Sequence, residues 1–151
     1  MRHSFSILHL APLLLLGVAG CNSNSNPGPT MPYAPVNLSL ELTNQQYAAL
    51  RADNGYVLLP VNGPAGVGGV KGVIIVRQNA GTYLAFERNC TYQPYDACAL
   101  VEPDPNSPFS FIDKCCKSQF NLQGQVTGGP ASRPLLQYQV GLQGTQLTVT
   151  N

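Results

Sequence analysis

The sequence predicts an all-β fold, a small antiparallel barrel or sandwich. Two observations carry this. Short apolar runs alternate with period two or are rich in β-branched residues, and turn formers punctuate the chain, with 15 Gly and 13 Pro among 151 residues. Many short strands separated by Gly and Pro turns suit a closed or two-layered β architecture.

The elements follow in order. Residues Val36-Asn37-Leu38-Ser39-Leu40-Glu41-Leu42 alternate as a half-buried strand does. Gln45 to Arg51 reads as one or two helical turns, ended by Asp53-Asn54-Gly55, and Tyr56 to Val61 reads as a strand. Gly63 to Gly72 is a Gly-rich loop. Val73 to Arg77 is β-branched and central, and the turn Asn79-Ala80-Gly81 joins it to a strand over Thr82 to Arg88. From Pro94 to Pro108 four prolines and several acids loosen the pattern, leaving Cys98 to Val101 strand-like. Phe109 to Ile112 is a short strand, and Phe120-Asn121-Leu122 enters a hairpin turn at Gln123-Gly124-Gln125. Gly128 to Pro134 forms a rigid loop. Leu135 to Val140 and Thr145 to Thr150 then flank a turn at Leu142-Gln143-Gly144.

The N-terminus predicts export. Arg2 and His3 precede an apolar run from Ile7 to Val18, too short to span a membrane and followed by small residues. Residues 1–20 are thus expected to be a signal peptide. Val18-Ala19-Gly20-Cys21 resembles a bacterial lipobox, which implies acylation of Cys21 as the first mature residue. Residues 21–35, rich in Asn, Ser, Pro and Gly, read as a flexible tether, and 36–151 as one domain. These features place the protein at the bacterial cell envelope, on the periplasmic face or the outer membrane, with the lipid membrane as its first partner.

Charge excludes other classes. Without Arg2, seven Lys and Arg face seven Asp and Glu, so no basic surface for nucleic acid is expected. Both histidines, His3 and His9, fall in the leader, which weakens general-base and most metal hypotheses. Phosphate loops, zinc-protease helices and nucleophile elbows are absent, and Gly63–Gly72 lacks the following lysine-serine step and helix. Asp96, Glu102, Asp104 and Asp113 lack EF-hand spacing and read as solvated loop acids. Tyr92 and Tyr95 are candidates for a ligand surface. With Cys21 lipidated, Cys90, Cys98, Cys115 and Cys116 remain, an even number that allows two bridges.

One resemblance stands out. Phe86-Glu87-Arg88-Asn89-Cys90-Thr91-Tyr92 is similar to the first cluster-binding loop of Rieske proteins, in which a strand runs into Cys-Thr-His. Cys115-Cys116-Lys117-Ser118-Gln119-Phe120 is similar to their second loop, Cys-Pro-Cys-His-Gly-Ser-x-Phe. Gly124-Gln125-Val126, Gly129-Pro130-Ala131 and Pro134-Leu135 to Tyr138 follow the family's ending in order. The resemblance implies a Rieske-like barrel with a smaller cluster-binding-like subdomain.

It also implies a ligand set, which is largely lost. A Rieske centre needs two thiolates on one iron and two imidazoles on the other. The equivalent positions here are Cys90, Tyr92, Asp113 and Cys116, and Lys117 stands where the family has a glycine. No metal is therefore expected; a [2Fe–2S] electron-transfer centre is the family-implied alternative. Many Rieske proteins join their two cluster loops by a disulfide, and the resemblance places Cys98 and Cys115 there. Cys90 and Cys116 then occupy ligand positions that face one another, which suggests a second bridge, Cys90–Cys116. Two other pairings stay open, one with Cys90–Cys115 and Cys98–Cys116, the other with a vicinal Cys115–Cys116. The expected function is a non-catalytic binding or accessory module with an unidentified envelope protein as partner. A second alternative is thiol–disulfide chemistry at Cys115-Cys116, aided by Lys114 and Lys117.

Overall fold

The computed structural model describes residues 30–63 and 67–151. Expectations for the signal peptide, for Cys21 and for most of the tether lie outside the described residues. The described chain forms ten strands: β1 (Asn37–Glu41), β2 (Tyr56–Leu59), β3 (Val73–Asn79), β4 (Thr82–Glu87), β5 (Val101–Pro103), β6 (Ser110–Asp113), β7 (Gln119–Asn121), β8 (Val126–Gly128), β9 (Gln137–Gln143) and β10 (Gln146–Thr150). A 3-10 helix over Gln45–Arg51 links β1 to β2, its first turn capped by the Asn44 side chain, which accepts from Gln46 N–H.

All pairings are antiparallel. A six-stranded sheet has the order β1-β10-β9-β4-β3-β2, and a four-stranded sheet the order β5-β6-β7-β8. The larger sheet curls into a half-barrel, because its opposite ends meet in one core. Leu38, Leu40, Leu147 and Val149 from one end pack with Leu59, Val73 and Ile75 from the other, and Leu50 of the 3-10 helix joins the same core.

Strand β3 explains how the second layer attaches. Val73, Ile74, Ile75 and Val76 are all fully buried. Successive strand residues point to opposite faces, so Val73 and Ile75 enter the barrel core. Ile74 and Val76 enter a second core with Phe86, Phe111, Phe120 and Leu122. A continuous β-branched run fits a strand buried on both faces. The small sheet thus lies on the outer face of the β2-β3-β4 ribbon, where the Tyr56 and Phe111 rings meet edge to face at 5.2 Å.

Several boundaries differ from the sequence expectation; β2 ends at Leu59, two residues short of Val61, and β9 runs from Gln137 to Gln143 in place of Leu135 to Val140. The last hairpin turns at Gly144-Thr145, two residues beyond the start of the predicted Leu142-Gln143-Gly144 turn, since Gln143 pairs with Gln146. Gly144 has φ +62°, the left-handed conformation that a two-residue hairpin demands. Strand β5 starts at Val101, because Ala99 N–H turns back onto the Asp96 carbonyl and leaves Cys98 outside the ladder. Strand β6 begins after Phe109, which is exposed, and runs on to Asp113, which pairs with Val101. At the N-terminal edge the fold takes hold of the chain at Ala34 and Pro35. Their carbonyls accept from the Asn151 side chain and from Gly69 N–H.

Candidate functional site

Two loops converge at the free end of the small sheet. The first leaves β4 as Arg88-Asn89-Cys90-Thr91-Tyr92, and the second joins β6 to β7 as Lys114-Cys115-Cys116-Lys117-Ser118. Each is shaped by its own polar residues. Asn89 donates through its side chain to the Pro94 carbonyl at 2.9 Å, and the Thr91 hydroxyl donates to the Arg133 carbonyl at 2.7 Å. In the second loop the buried Asp113 accepts Cys115 N–H on Oδ1 at 2.7 Å, while Lys117 N–H bonds the Asp113 carbonyl. Lys117 sits at φ +65°, a left-handed conformation that glycine adopts with less strain. Asn89 Oδ1 is a buried acceptor without a partner among the described residues.

The Gly128 to Pro134 loop braces the second loop from behind. Ala131 N–H donates to Ser118 Oγ at 3.0 Å. Gly129 has φ +81°, and a Cβ there would lie 2.5 Å from the Lys117 carbonyl oxygen and the Ser118 Cα. Gly129→Ala should therefore cost at least about 2 kcal/mol, from the left-handed backbone and a clash with a backbone that has nowhere to go. A urea melt of the purified variant checks this; an unchanged midpoint would mean that the loops are not in contact.

The cysteines divide into a bridge and a thiol pair. Cys98 and Cys115 are joined by a disulfide, with Cα atoms 5.8 Å apart, tying the first loop's extension to the second loop. Where the sequence suggested a further bridge, Cys90 and Cys116 are free thiols whose sulfurs lie 3.6 Å apart. Their side chains converge, but Asp113 and Ser118 share the space. Cys116 Sγ lies 3.3 Å from Asp113 Oδ2 and 3.0 Å from Ser118 Oγ, either of which can accept its one proton.

Cys90 is fully buried, and burial pushes its thiol up to about 12, with the Asp113 carboxylate and the Cys116 thiol adding to the effect. The Tyr92 backbone N–H acts in the opposite sense. A buried thiol of this kind is a poor nucleophile. For the alternative of thiol–disulfide chemistry at Cys115-Cys116, the pair is not a free dithiol, since Cys115 is bridged to Cys98, and Lys114 pairs with Glu102 at 2.8 Å.

Of the four positions that the sequence resemblance singled out, Cys90, Asp113 and Cys116 come together, with donor atoms all within 4.8 Å of one another. The fourth, Tyr92, packs against the second core. Tyr95 stands exposed. The loop acids have separate roles: Glu102 holds Lys114, Asp104 accepts from Asn106 N–H and the Ser110 hydroxyl, and Asp96 faces solvent.

Glu87, Ser118 and Tyr138 were not foreseen as structural centres of the site. The fully buried Glu87 carboxylate accepts Val70 N–H at 2.6 Å, Lys71 N–H at 2.9 Å, Asn89 N–H at 3.0 Å and the Tyr138 hydroxyl at 2.7 Å. It anchors the Gly-rich loop, β9 and the start of the first cysteine loop together. The signal in the sequence was parity. Glu87 shares a strand face with Tyr83 and Ala85, so it points at a core.

Fold and site define a two-sheet β protein with paired cysteine loops beyond a half-barrel. Among solved structures, the chain is similar to the cyanobacterial plasma membrane Rieske protein PetC3 from Synechocystis PCC 6803. The identity is 28% over 52% of this chain and 76% of that chain, with a TM-score of 0.44. No protein-family model and no curated protein matches the chain.

Proposed function

We propose that this is an exported, lipid-anchored accessory protein, built on a Rieske-like fold whose cluster loops no longer hold a cluster. The observation that carries this is the donor set. Two thiols and one carboxylate meet where a Rieske centre needs two thiolates and two imidazoles. The only histidines, His3 and His9, lie in the leader. Such residues do not fit a Rieske [2Fe–2S] cluster, so no electron-transfer step is assigned to them. The loop pair, tied by Cys98–Cys115, serves instead as a rigid platform for a partner in the cell envelope. Cys21, following a short apolar leader, supports lipid anchoring, with the Asn- and Ser-rich tether giving the domain reach from the membrane surface.

The test is the absorption spectrum and the iron and sulfide content of the whole protein extracted from membranes in detergent. The expected preparation is colourless, folded and free of iron. Stoichiometric iron and acid-labile sulfide with visible charge-transfer bands would overturn the proposal. Incorporation of labelled fatty acid, lost in Cys21→Ser, checks the anchor separately.

A further inference from the structure

We infer that Cys90, Asp113 and Cys116 form a mononuclear site for a thiophilic divalent cation of the zinc class. The inference rests on the reading that no iron–sulfur cluster occupies these loops, and it adds a ligand to a site otherwise left as bare thiols.

The distances suit one ion. Two metal–sulfur bonds of about 2.3 Å at a tetrahedral angle place the sulfurs about 3.8 Å apart, and a sulfur–carboxylate edge comes to about 3.6 Å. The sulfurs of Cys90 and Cys116 are 3.6 Å apart, and Cys116 Sγ lies 3.3 Å from Asp113 Oδ2. Both edges are within a few tenths of an ångström of the requirement without any rotamer change. Donor atoms that all fall within 4.8 Å of one another are close enough to share one ion. A two-iron cluster needs its ligand pairs on separate irons.

The donor types select the ion. Two thiolates and a carboxylate suit zinc; calcium and magnesium want six or more oxygens. Three protein ligands leave a fourth position, and solvent can reach the site past Cys116, which is partly exposed while Cys90 and Asp113 are buried. Water fills it, as in open zinc sites.

The surrounding residues hold the ligands as an outer shell does. Asp113 Oδ1 is occupied by Cys115 N–H, which leaves Oδ2 for the ion. Ser118 Oγ contacts the Cys116 sulfur at 3.0 Å and is itself fixed by Ala131 N–H. Each stabilises a thiolate or orients a ligand. Binding is balanced by loss of both thiol protons to solvent, so no oxidant or reductant takes part.

The experiment uses the whole protein in detergent, purified without reductant and stripped by chelator. Cobalt(II) is added as the probe. One equivalent should give thiolate-to-cobalt charge-transfer bands and the intense visible bands of a tetrahedral centre, and zinc should displace it. Cys116→Ala, which alters the partly exposed ligand and leaves the buried two intact, should weaken cobalt binding at least about 100-fold. Ser118→Ala should weaken it about 10- to 100-fold, the size of an outer-shell loss. If both thiols react as free yet no cobalt bands appear, the metal site is overturned and the cluster-free reading stands. A Cys90–Cys116 disulfide on non-reducing peptide mapping has the same two consequences. Iron with acid-labile sulfide in the isolated protein would overturn both.

Discussion

Replacing Glu87 by alanine should destabilise the domain by about 3–5 kcal/mol, a large share of the roughly 5–15 kcal/mol that holds a domain of this size together. The carboxylate is the shared acceptor for Val70 N–H, Lys71 N–H, Asn89 N–H and the Tyr138 hydroxyl, all at 3.0 Å or less. Truncation leaves four donors facing a void at a fully buried position. Each buried donor without a partner costs about 1–3 kcal/mol, and water entering the space recovers part of that. Tyr138→Phe removes one donor and keeps the acceptor, so it should cost only about 1–2 kcal/mol. Burial, and then the neighbouring Glu87, push the Tyr138 hydroxyl above the usual tyrosine range, so it remains a protonated donor at any pH at which such melts are run. Urea denaturation of both variants, followed by circular dichroism, gives the comparison. A Glu87→Ala midpoint no lower than that of Tyr138→Phe would show that the carboxylate does not bind the two backbone segments. The effect should also reach the cysteine loops, because Asn89 stands one residue before Cys90.

What the sequence could show followed from local physics. The strand over Val36–Leu42 and the β3 run announce themselves by side-chain parity and by β-branched composition, and they fold as expected. The helical turns over Gln45 to Arg51 were visible ahead of Asp53-Asn54-Gly55 because that stop signal is local, while the Asn44 cap went unread. Turn placement failed at Gly144, where only pairing across the hairpin decides which two residues leave the ladder. The loops were legible as a pair through Cys90-Thr91 and Cys115 to Phe120, whose order resembles that of Rieske loops. The state of Cys90 and Cys116 was not. Whether two converging sulfurs bond depends on their separation, and here Cys116 Sγ stands 3.6 Å from Cys90 Sγ, beside Asp113 Oδ2 and Ser118 Oγ, a distance set by how two loops far apart in sequence pack together. Glu87 was hidden for the opposite reason. It lies inside a recognised strand, and a carboxylate at a strand end is ordinarily solvated; its burial depends on the Gly-rich loop folding over it.

Removing the Cys98–Cys115 bridge should cost about 3 kcal/mol and lower the melting temperature by about 10 °C. The two cysteines are 17 residues apart in sequence, and closing a loop of that length removes about this much freedom from the unfolded chain. The bridge closes the loop from Cys98 to Cys115, which holds the short β5-β6 hairpin, so its contribution adds to that of the ladder from Val101–Asp113 to Pro103–Phe111. The variant to make is Cys98→Ala with Cys115→Ala together, since Cys98→Ala alone leaves an unpaired thiol on Cys115, next in sequence to Cys116, and Cys115→Ala alone leaves one on Cys98. A chain-entropy origin carries its own signature: the denatured state of the double variant is more expanded, so the denaturant slope m should rise as the midpoint falls. A fall in midpoint with m unchanged would move the cause into the folded loops, as lost packing between the two arms. An unchanged midpoint would mean that the arms are held without the bridge. The same variant bears on the thiol pair. Cys90, Asp113 and Ser118 are positioned by β4, β6 and the Gly128 to Pro134 loop and not by Cys98, so cobalt binding at the Cys90–Cys116 site should survive below the new melting point. Its loss in a folded double variant would show that the bridge sets the distance between the two loops.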